Sequence, residues 1–498
     1  MASTVLEPPV SRGEAGTRVL RLPLAFTFAL GAFLFLDSVR QNIALTWTFA
    51  GAGAVLLAWN AALFASAVRG ARTLNIEIVL RKQHYLQACI QGSLLVYWGW
   101  YWRQVYDSAH LIAAQLLFAY AFDMLLSWSR RDVYALGFGP FPVVFSMNLF
   151  LWFKPDWFYM QLLMVAVGFA AKELIRWDKD GRSVHIFNPS SFPLAVFSLA
   201  LIVTGTTDLT WGQDIATTLF YPPHMYLALF LFALPGQFLF GVTTMTMSAV
   251  VTTYLFGLMY YAATGIYFFY DSYIPIAVFL GMHLLFTDPA TAPRTDLGRV
   301  IFGVLYGIST VALYALLGNF GVPTFYDKLL QIPILNLSIK VIDQFARLNA
   351  LQRIDPTAVL QSLTPRRRHV AYMSMWAMVF AIMSAVQGVG DSHPGQWLPF
   401  WQHACAEGRP YACPYLEGVI SSDCDRGSPW ACEELAILQD DGDRYRPRTL
   451  ASADAEDYPI ILRGSKGPLR DVSRAGLEAL ACREGWPGTC SQRPRGGP

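Results

Sequence analysis

Long apolar segments dominate residues 20 to 390 of this 498-residue chain, and they restrict its fold more than any other feature. Inside a bilayer every backbone N–H and C=O group needs a partner within the protein, so such segments cross as helices. The composition agrees, because 54% of the residues are hydrophobic and only 14% are charged, as in helical membrane proteins. The sequence therefore predicts an all-α fold, a polytopic transmembrane bundle.

The apolar region divides into about 13 candidate spans, each close to the length of roughly 19 residues that crosses a bilayer. Segment 192–206 is short, and 223–264, which contains proline and glycine, can also be read as broken helices. The predicted spans are 22–38, 44–67, 84–103, 109–128, 136–153, 157–176, 192–206, 223–240, 243–264, 274–288, 300–318, 327–348 and 369–389.

The connections between these spans alternate in charge, and basic loops mark the cytoplasmic side of a membrane protein. This rule places the N-terminus in the cytoplasm and everything after residue 390 outside a bacterial inner membrane. The net charge of +2 gives no indication of a nucleic-acid partner. The basic loops carry Arg69, Arg72, Arg81, Lys82, Arg130, Arg131, Lys172, Arg176, Lys179, Arg182, Arg294, Arg299, Arg353 and Arg366 to Arg368, and the others carry Asp107, Asp156, Asp208, Asp214, Asp271 and Asp327.

Six of the seven cysteines occur in three copies of the pattern Cys-x-x-Gly-x-Pro-x-x-Cys. Residues eight apart on one helix lie about 12 Å apart, farther than the roughly 4.4–6.8 Å between Cα atoms that a disulfide allows. Glycine ends helices and proline begins them, so each copy predicts a helical hairpin closed by a disulfide. Six free thiols binding a metal are the alternative. The predicted pairs are Cys405–Cys413, Cys424–Cys432 and Cys482–Cys490, and Cys89 is predicted to be buried.

An oxidised tail also lies outside the cytoplasm of a bacterium, in agreement with the charge pattern. The repeated pattern resembles the cysteine-rich Sel1-like repeats of secreted bacterial proteins, which bind other proteins. That resemblance implies a periplasmic protein partner for the tail.

Two polar segments interrupt the apolar region, and each has a helix start next to a loop. Residues 181–192 contain Asn188 and Pro189, and residues 281–299 contain Asp288 and Pro289. Free backbone amides at helix starts can hold a phosphate or the polar edge of a cofactor. The same residues are equally typical of capped helix ends beside an ordinary basic loop.

Phe187-Asn188-Pro189 lies in the first polar segment, and residues 287–292 lie in the second. Residues 298–303 begin in the second segment and continue past it. Together these residues resemble the NqrB/RnfD family. This is the large membrane subunit of the sodium-pumping NADH:quinone reductase and of the Rnf ferredoxin:NAD oxidoreductase. The resemblance runs from about residue 75 to 348, through Ile342-Asp343. It implies a membrane electron-transport subunit that holds FMN, with an additional riboflavin in the sodium pump, works with other membrane redox subunits and is coupled to ion movement.

The family esterifies FMN to a threonine in a Ser-(Gly or Gln)-Ala-Thr stretch, and Thr217 after Ala216 is the nearest counterpart. Ile215 stands where the family has Gly or Gln, and Trp211 occupies the upstream acidic position, so covalent, noncovalent and absent flavin all remain open. Polar groups for a flavin could come from Lys172, Arg182, Asn188, Asp288, Thr291 and Arg299. In the alternative interpretation Lys172 and Arg182 anchor the membrane interface, Asp288 caps a helix and Arg299 starts one.

A non-redox transporter or scaffold is the alternative to an electron carrier. Such a protein would keep the fold and recruit partners through its tail.

These features divide the chain into five parts. The parts are a cytoplasmic segment at 1–19, transmembrane helices at 20–74, the family-like core at 75–348, a basic loop and last span at 349–390, and a periplasmic repeat domain at 391–498.

Overall fold

The computed structural model describes residues 11–15, 17–179, 181–269, 272–386, 389, 395, 398–425, 428–440 and 445–446, and these are mostly helical. The helices are α1 Arg21–Ala32, α2 Asp37–Arg40, α3 Ile43–Arg69, α4 Lys82–Tyr101, α5 Gln104–Asp107, α6 Ala109–Arg130, α7 Pro140–Asn148, α8 Phe158–Leu174, α9 Ser191–Thr204, α10 Gly212–Thr218, α11 Met225–Phe240, α12 Thr243–Thr264, α13 Ile276–Leu284, α14 Asp296–Asn319, α15 Ile332–Ala346, α16 Pro356–Val359, α17 Pro365–Ala385, α18 Leu398–Ala406, α19 Ala412–Asp425 and α20 Pro429–Asp440.

Within these residues, five helical stretches are long and apolar enough to cross a membrane, as predicted for a membrane protein. Several other predicted spans are shorter helices. The apolar run 136–153 contains only the nine-residue α7, and 274–288 contains only the nine-residue α13, whereas a full crossing takes about 20 residues. The five long stretches are Arg18–Phe35, Ile43–Arg69, Ala109–Arg130, Asp296–Asn319 and Thr324–Ala346.

Two small β-sheets accompany the helices, and the all-α prediction missed them. Strand β2 (Asn75–Ile78) pairs antiparallel with β1 (Ser11–Ala15) and parallel with β3 (Val133–Leu136). Strands β4 (Arg176–Lys179) and β5 (Arg182–His185) form an antiparallel hairpin. All five strands lie in segments that the sequence assigns to basic loops or to the N-terminal segment.

The chain forms two compact units. The first contains Met1–Thr217, Leu229–Ala249 and Leu280–Ser374, and the second contains Thr218–Ala228, Val250–Phe279 and Met375–Pro498. The chain passes from one unit to the other within α10, α11, α12, α13 and α17.

The basic loops of the first unit are tied to one another. The sheet β1–β2–β3 joins the first two loops to the N-terminal segment. The guanidinium of Arg131 lies 2.9 Å from the Glu173 carboxylate at the end of α8. Further along the chain, His185 lies 3.0 Å from Asp288, and Arg368 lies 3.7 Å from Asp296. We call this group of loops the basic-loop end.

The acidic connections of the same unit also meet one another. The Asn42 amide donates to the Asp156 carboxylate over 2.6 Å, and the backbone N–H of Lys154 donates to the Leu209 carbonyl over 2.9 Å. Gly212 packs so closely against Phe325 that a Cβ atom there would clash with the ring. We call this group the acidic-loop end.

The tail in the second unit contains two of the predicted disulfides. Cys405–Cys413 joins α18 to α19 and Cys424–Cys432 joins α19 to α20, with Cα atoms 4.6 and 4.7 Å apart. These bonds rule out the metal-binding alternative for those four thiols. Gly408 has a φ of 68°, the left-handed value expected where a helix ends. The third predicted pair, Cys482–Cys490, lies outside the described residues.

The prediction that Cys89 is buried was wrong, because this free cysteine is exposed. It lies on α4, where exposed side chains such as Tyr85 and Val96 also occur. An apolar span has an outward face that is as apolar as its inward one. Hydrophobicity alone therefore did not distinguish the two faces at this position.

Candidate functional site

Asn188 joins the two polar segments that the sequence singles out. Its side-chain amide donates to the Leu285 carbonyl over 2.9 Å. Its side-chain oxygen accepts from the backbone N–H groups of Ser190 and Ser191, over 2.9 and 3.2 Å, at the start of α9. The side chain is buried, so the predicted capping role is combined with a contact about a hundred residues away. These contacts place the end of α13 beside the start of α9.

Asp288 makes the second link between the segments. Its carboxylate lies 3.0 Å from the His185 imidazole on β5 and accepts from the Ala290 backbone N–H over 3.0 Å. Burial raises the pKa of Asp288, but the hydrogen bonds from His185, Ala290 and Thr291 outweigh burial and hold this pKa below its ordinary value. Asp288 is therefore a carboxylate at neutral pH, in the loop after α13.

Helix α15 holds the loop that follows Asp288. The Asn336 amide donates to the Thr291 carbonyl over 3.3 Å, and its oxygen accepts from the Asn188 backbone N–H over 3.2 Å. Asp343 accepts from the backbone N–H groups of Arg294 and Thr295 over 2.9 and 3.2 Å. No local pattern marks Asn336, whose role depends on partners 45 and 148 residues away.

Lys172 and His84 lie at the same end of the first unit. The Lys172 ammonium is 3.9 Å from the Asp123 carboxylate and 5.2 Å from the centre of the Phe169 ring. The His84 imidazole lies close to Gly139, beside the start of α7. Sequence analysis missed His84, which lies in the first turn of α4.

Three predicted site residues remain. The backbone of Arg182 pairs with that of Lys179 across the β4–β5 hairpin, and the Arg182 side chain lies outside the described residues. Arg299 lies 3.1 Å from Asp296 and donates to the Pro293 carbonyl over 3.1 Å. Thr217 lies on α10 at the acidic-loop end, where its exposed hydroxyl donates to the Gln213 and Asp214 carbonyls over 3.2 and 3.1 Å.

The β4–β5 hairpin has a donor that could serve a bound cofactor. The indole N–H of Trp177 is buried and makes no hydrogen bond within the described chain. The Lys340 ammonium lies 4.6 Å from the centre of this indole ring, and the rings of Phe187 and Phe192 stack at 4.5 Å. A buried N–H beside an ammonium group fits the polar edge of a flavin.

Three or more metal-ligating side chains do not cluster anywhere in the described parts of the chain. Comparison with protein-family models, curated proteins and solved structures gives no match.

Proposed function

We propose that this chain is a membrane electron-transport subunit of the NqrB/RnfD kind that holds flavin. The observation that carries the proposal is the contact between the two family-like segments, residues 181–192 and 281–299. Asn188 contacts Leu285, and His185 contacts Asp288, although the partners lie about a hundred residues apart in sequence. Two segments selected by resemblance are thus in contact with each other, as expected if they have a shared role.

The ties between loops support the proposed topology of 13 crossings with the N-terminus in the cytoplasm. Loops that contact one another lie on the same side of the membrane, so an even number of crossings must separate them. The helix pairs α1 and α3, α4 and α6, α7 and α8, and α14 and α15 satisfy this condition, as do the four helices α9, α11, α12 and α13. In this count the short helices α7 and α13 cross together with the apolar residues around them in 136–153 and 274–288. Helix α17 is then the last crossing and leads to a periplasmic tail.

Two positions suit flavin in this arrangement. Lys172, Trp177 and Lys340 would hold a noncovalent flavin at the basic-loop end, where an ammonium and a buried N–H are available. Thr217 would carry an esterified FMN at the acidic-loop end, because its hydroxyl is exposed. A bound flavin would accept and release electrons, and centres at both ends would serve transfer through the membrane layer. Other membrane redox subunits would then be the partners.

A non-redox transporter or scaffold is the second candidate, and one observation favours it. The polar atoms of Asn188, Asp288 and Arg299 already have partners within the chain. Such groups stabilise the contact between the two segments whether or not a cofactor is present. In that case the family-like segments would hold the helices together, and the tail would recruit a periplasmic protein.

The colour of the purified protein distinguishes the two candidates. A flavin subunit in detergent has the visible absorbance of flavin, and a denaturing gel shows fluorescence if the flavin is covalent. Thr217→Ala should abolish the gel fluorescence, whereas Thr204→Ala should leave it unchanged. Thr204 is a matched control because it also has an exposed hydroxyl that donates to helix carbonyls. A folded but colourless protein would exclude the flavin proposal.

A second pair of variants tests the noncovalent position. Trp177→Phe removes the buried N–H and keeps an aromatic ring, so it should weaken retention of extractable flavin. Trp59→Phe is the control, because the Trp59 indole already donates to Ser129 over 3.0 Å. Equal flavin content in the two variants would place the noncovalent flavin elsewhere.

A further inference from the structure

The disulfide-bonded tail packs against residues from the connection between α12 and α13 of the same chain. Ile266 and Tyr267 lie in one apolar core with Trp401, Leu416 and Ile420 of the tail, and all five are buried. The ring of Tyr267 is 5.1 Å from that of Phe400 at the start of α18. One face of the tail is therefore occupied by a segment of its own chain.

A cation from the tail also caps α12. That helix ends at Thr264, and Gly265 follows with a φ of 72°. The Arg409 guanidinium donates to the Gly265 carbonyl over 2.6 Å. Carbonyls at a helix C-terminus carry partial negative charge and attract cations. The tail thus supplies a charged partner for the end of a helix far from it in sequence.

The first disulfide sets the position of this arginine. Arg409 follows Gly408 in the corner closed by Cys405–Cys413. Glu407, in the same corner, holds the guanidinium through contacts of 2.7 and 2.8 Å. Closing a short loop with a disulfide removes many alternative conformations of the corner. The arginine is therefore presented to Gly265 in a restricted geometry.

We propose that the corner between Cys405 and Cys413 is an intramolecular latch that fixes the end of α12 and residues 265–269. Among the contacts that hold this segment to the tail are the Arg409 hydrogen bond to the Gly265 carbonyl and the burial of Ile266 and Tyr267 in the tail core. Loss of the Arg409 hydrogen bond should therefore loosen the segment. The latch uses the tail surface that would otherwise be free for another protein, so a partner would have to bind a different face.

Hydrogen exchange measured by mass spectrometry on the full chain in detergent tests the latch. Arg409→Gln keeps both disulfides and removes the charged hydrogen bond, so amides 266–269 should exchange about tenfold faster or more. Arg446→Gln removes an exposed arginine from the same tail and should leave those amides unchanged. Equal exchange at 266–269 in the two variants would overturn the latch.

A second comparison tests the role of the disulfide. Cys405→Ser with Cys413→Ser should accelerate exchange at 266–269 at least as much as Arg409→Gln does. Cys424→Ser with Cys432→Ser removes a bond of the same eight-residue separation and should leave exchange there close to that of the wild type. If both double variants accelerate these amides equally, the first corner has no special role and the proposal fails. If the first double variant does not fold, Arg409→Gln alone decides.

Discussion

Asp327 and Lys328 form an ion pair that is almost completely removed from solvent. The ammonium lies 3.0 Å from the carboxylate, and the two side chains are 4% and 1% exposed for lysine and aspartate respectively. The ammonium also donates to the Phe325 carbonyl, and the Tyr306 hydroxyl donates to the Lys328 carbonyl over 3.0 Å. The pair lies within the apolar stretch Thr324–Ala346, where an unpaired charge is costly. Removing one partner should therefore destabilise the protein strongly.

The expected loss of stability follows from the separation of the two charges and from their burial. Two unit charges 3.0 Å apart attract each other by about 5–6 kcal/mol at an effective dielectric constant of about 20. Loss of one partner also leaves the other charge buried without compensation, and such changes cost about 3–5 kcal/mol. Removing both charges avoids that penalty. The double variant should therefore be no less stable than either single variant.

A double-mutant cycle measures this coupling. Asp327→Asn, Lys328→Met and their combination would be unfolded reversibly in mixed micelles and followed by tryptophan fluorescence. We expect a coupling free energy of about 3 kcal/mol. Arg72 and Asp132 provide a control, because their 2.7 Å pair is 27% and 53% exposed and should couple by about 0–1 kcal/mol. A coupling at the buried pair no larger than that of the control would refute the reasoning.

Three further predictions concern other contacts of the first unit. Asp288→Asn should lower the thermal midpoint of unfolding at pH 7. Because the pKa of Asp288 is lowered in the folded state, the contribution of this carboxylate to stability is lost as the pH falls. The difference in thermal midpoint between variant and wild type should therefore close below about pH 4. Asn148→Leu removes the acceptor of the buried Gln115 side-chain N–H and should cost about 1–3 kcal/mol in the same unfolding assay; a neutral effect would contradict it. Gly303→Ala places a Cβ against Ser248 and should cost about 1–3 kcal/mol, whereas Gly51→Ala, with open space around it, should not destabilise.

The features that could be predicted from the sequence are those with a local signal. The Gly-x-Pro corners predicted the disulfides of Cys405 and Cys424, because helix-ending and helix-starting residues lie between the paired thiols. A cap residue beside proline predicts the roles of Asn188 and Asp288, and both side chains accept from the backbone N–H two residues on. Each of these predictions depends on residues only a few positions apart.

The features that were missed depend on distant partners. Asn336 is a polar residue on an apolar helix, and its importance follows only from its contacts with Asn188 and Thr291. Strands β2 and β3 are four residues each, and short strands are stabilised by pairing more than by propensity. Helix α7 occupies only part of a long apolar run because Pro140 starts it and a loop follows Asn148. The apolar composition of this run does not indicate where the helix begins or ends.

The β1–β2–β3 sheet constrains the order of events while the chain is being synthesised. Its parallel pair joins Asn75 to Val133, so β2 leaves the ribosome about 60 residues before its neighbour exists. At roughly 5–20 residues per second, β2 waits on the order of several seconds for β3. In the proposed topology α4 and α6 must both be inserted during this interval, since they lie between the two strands. Formation of the sheet therefore marks the completion of the first helices, and an insertion error in either would leave an unpaired strand edge at the membrane surface, a feature that quality-control proteases could recognise.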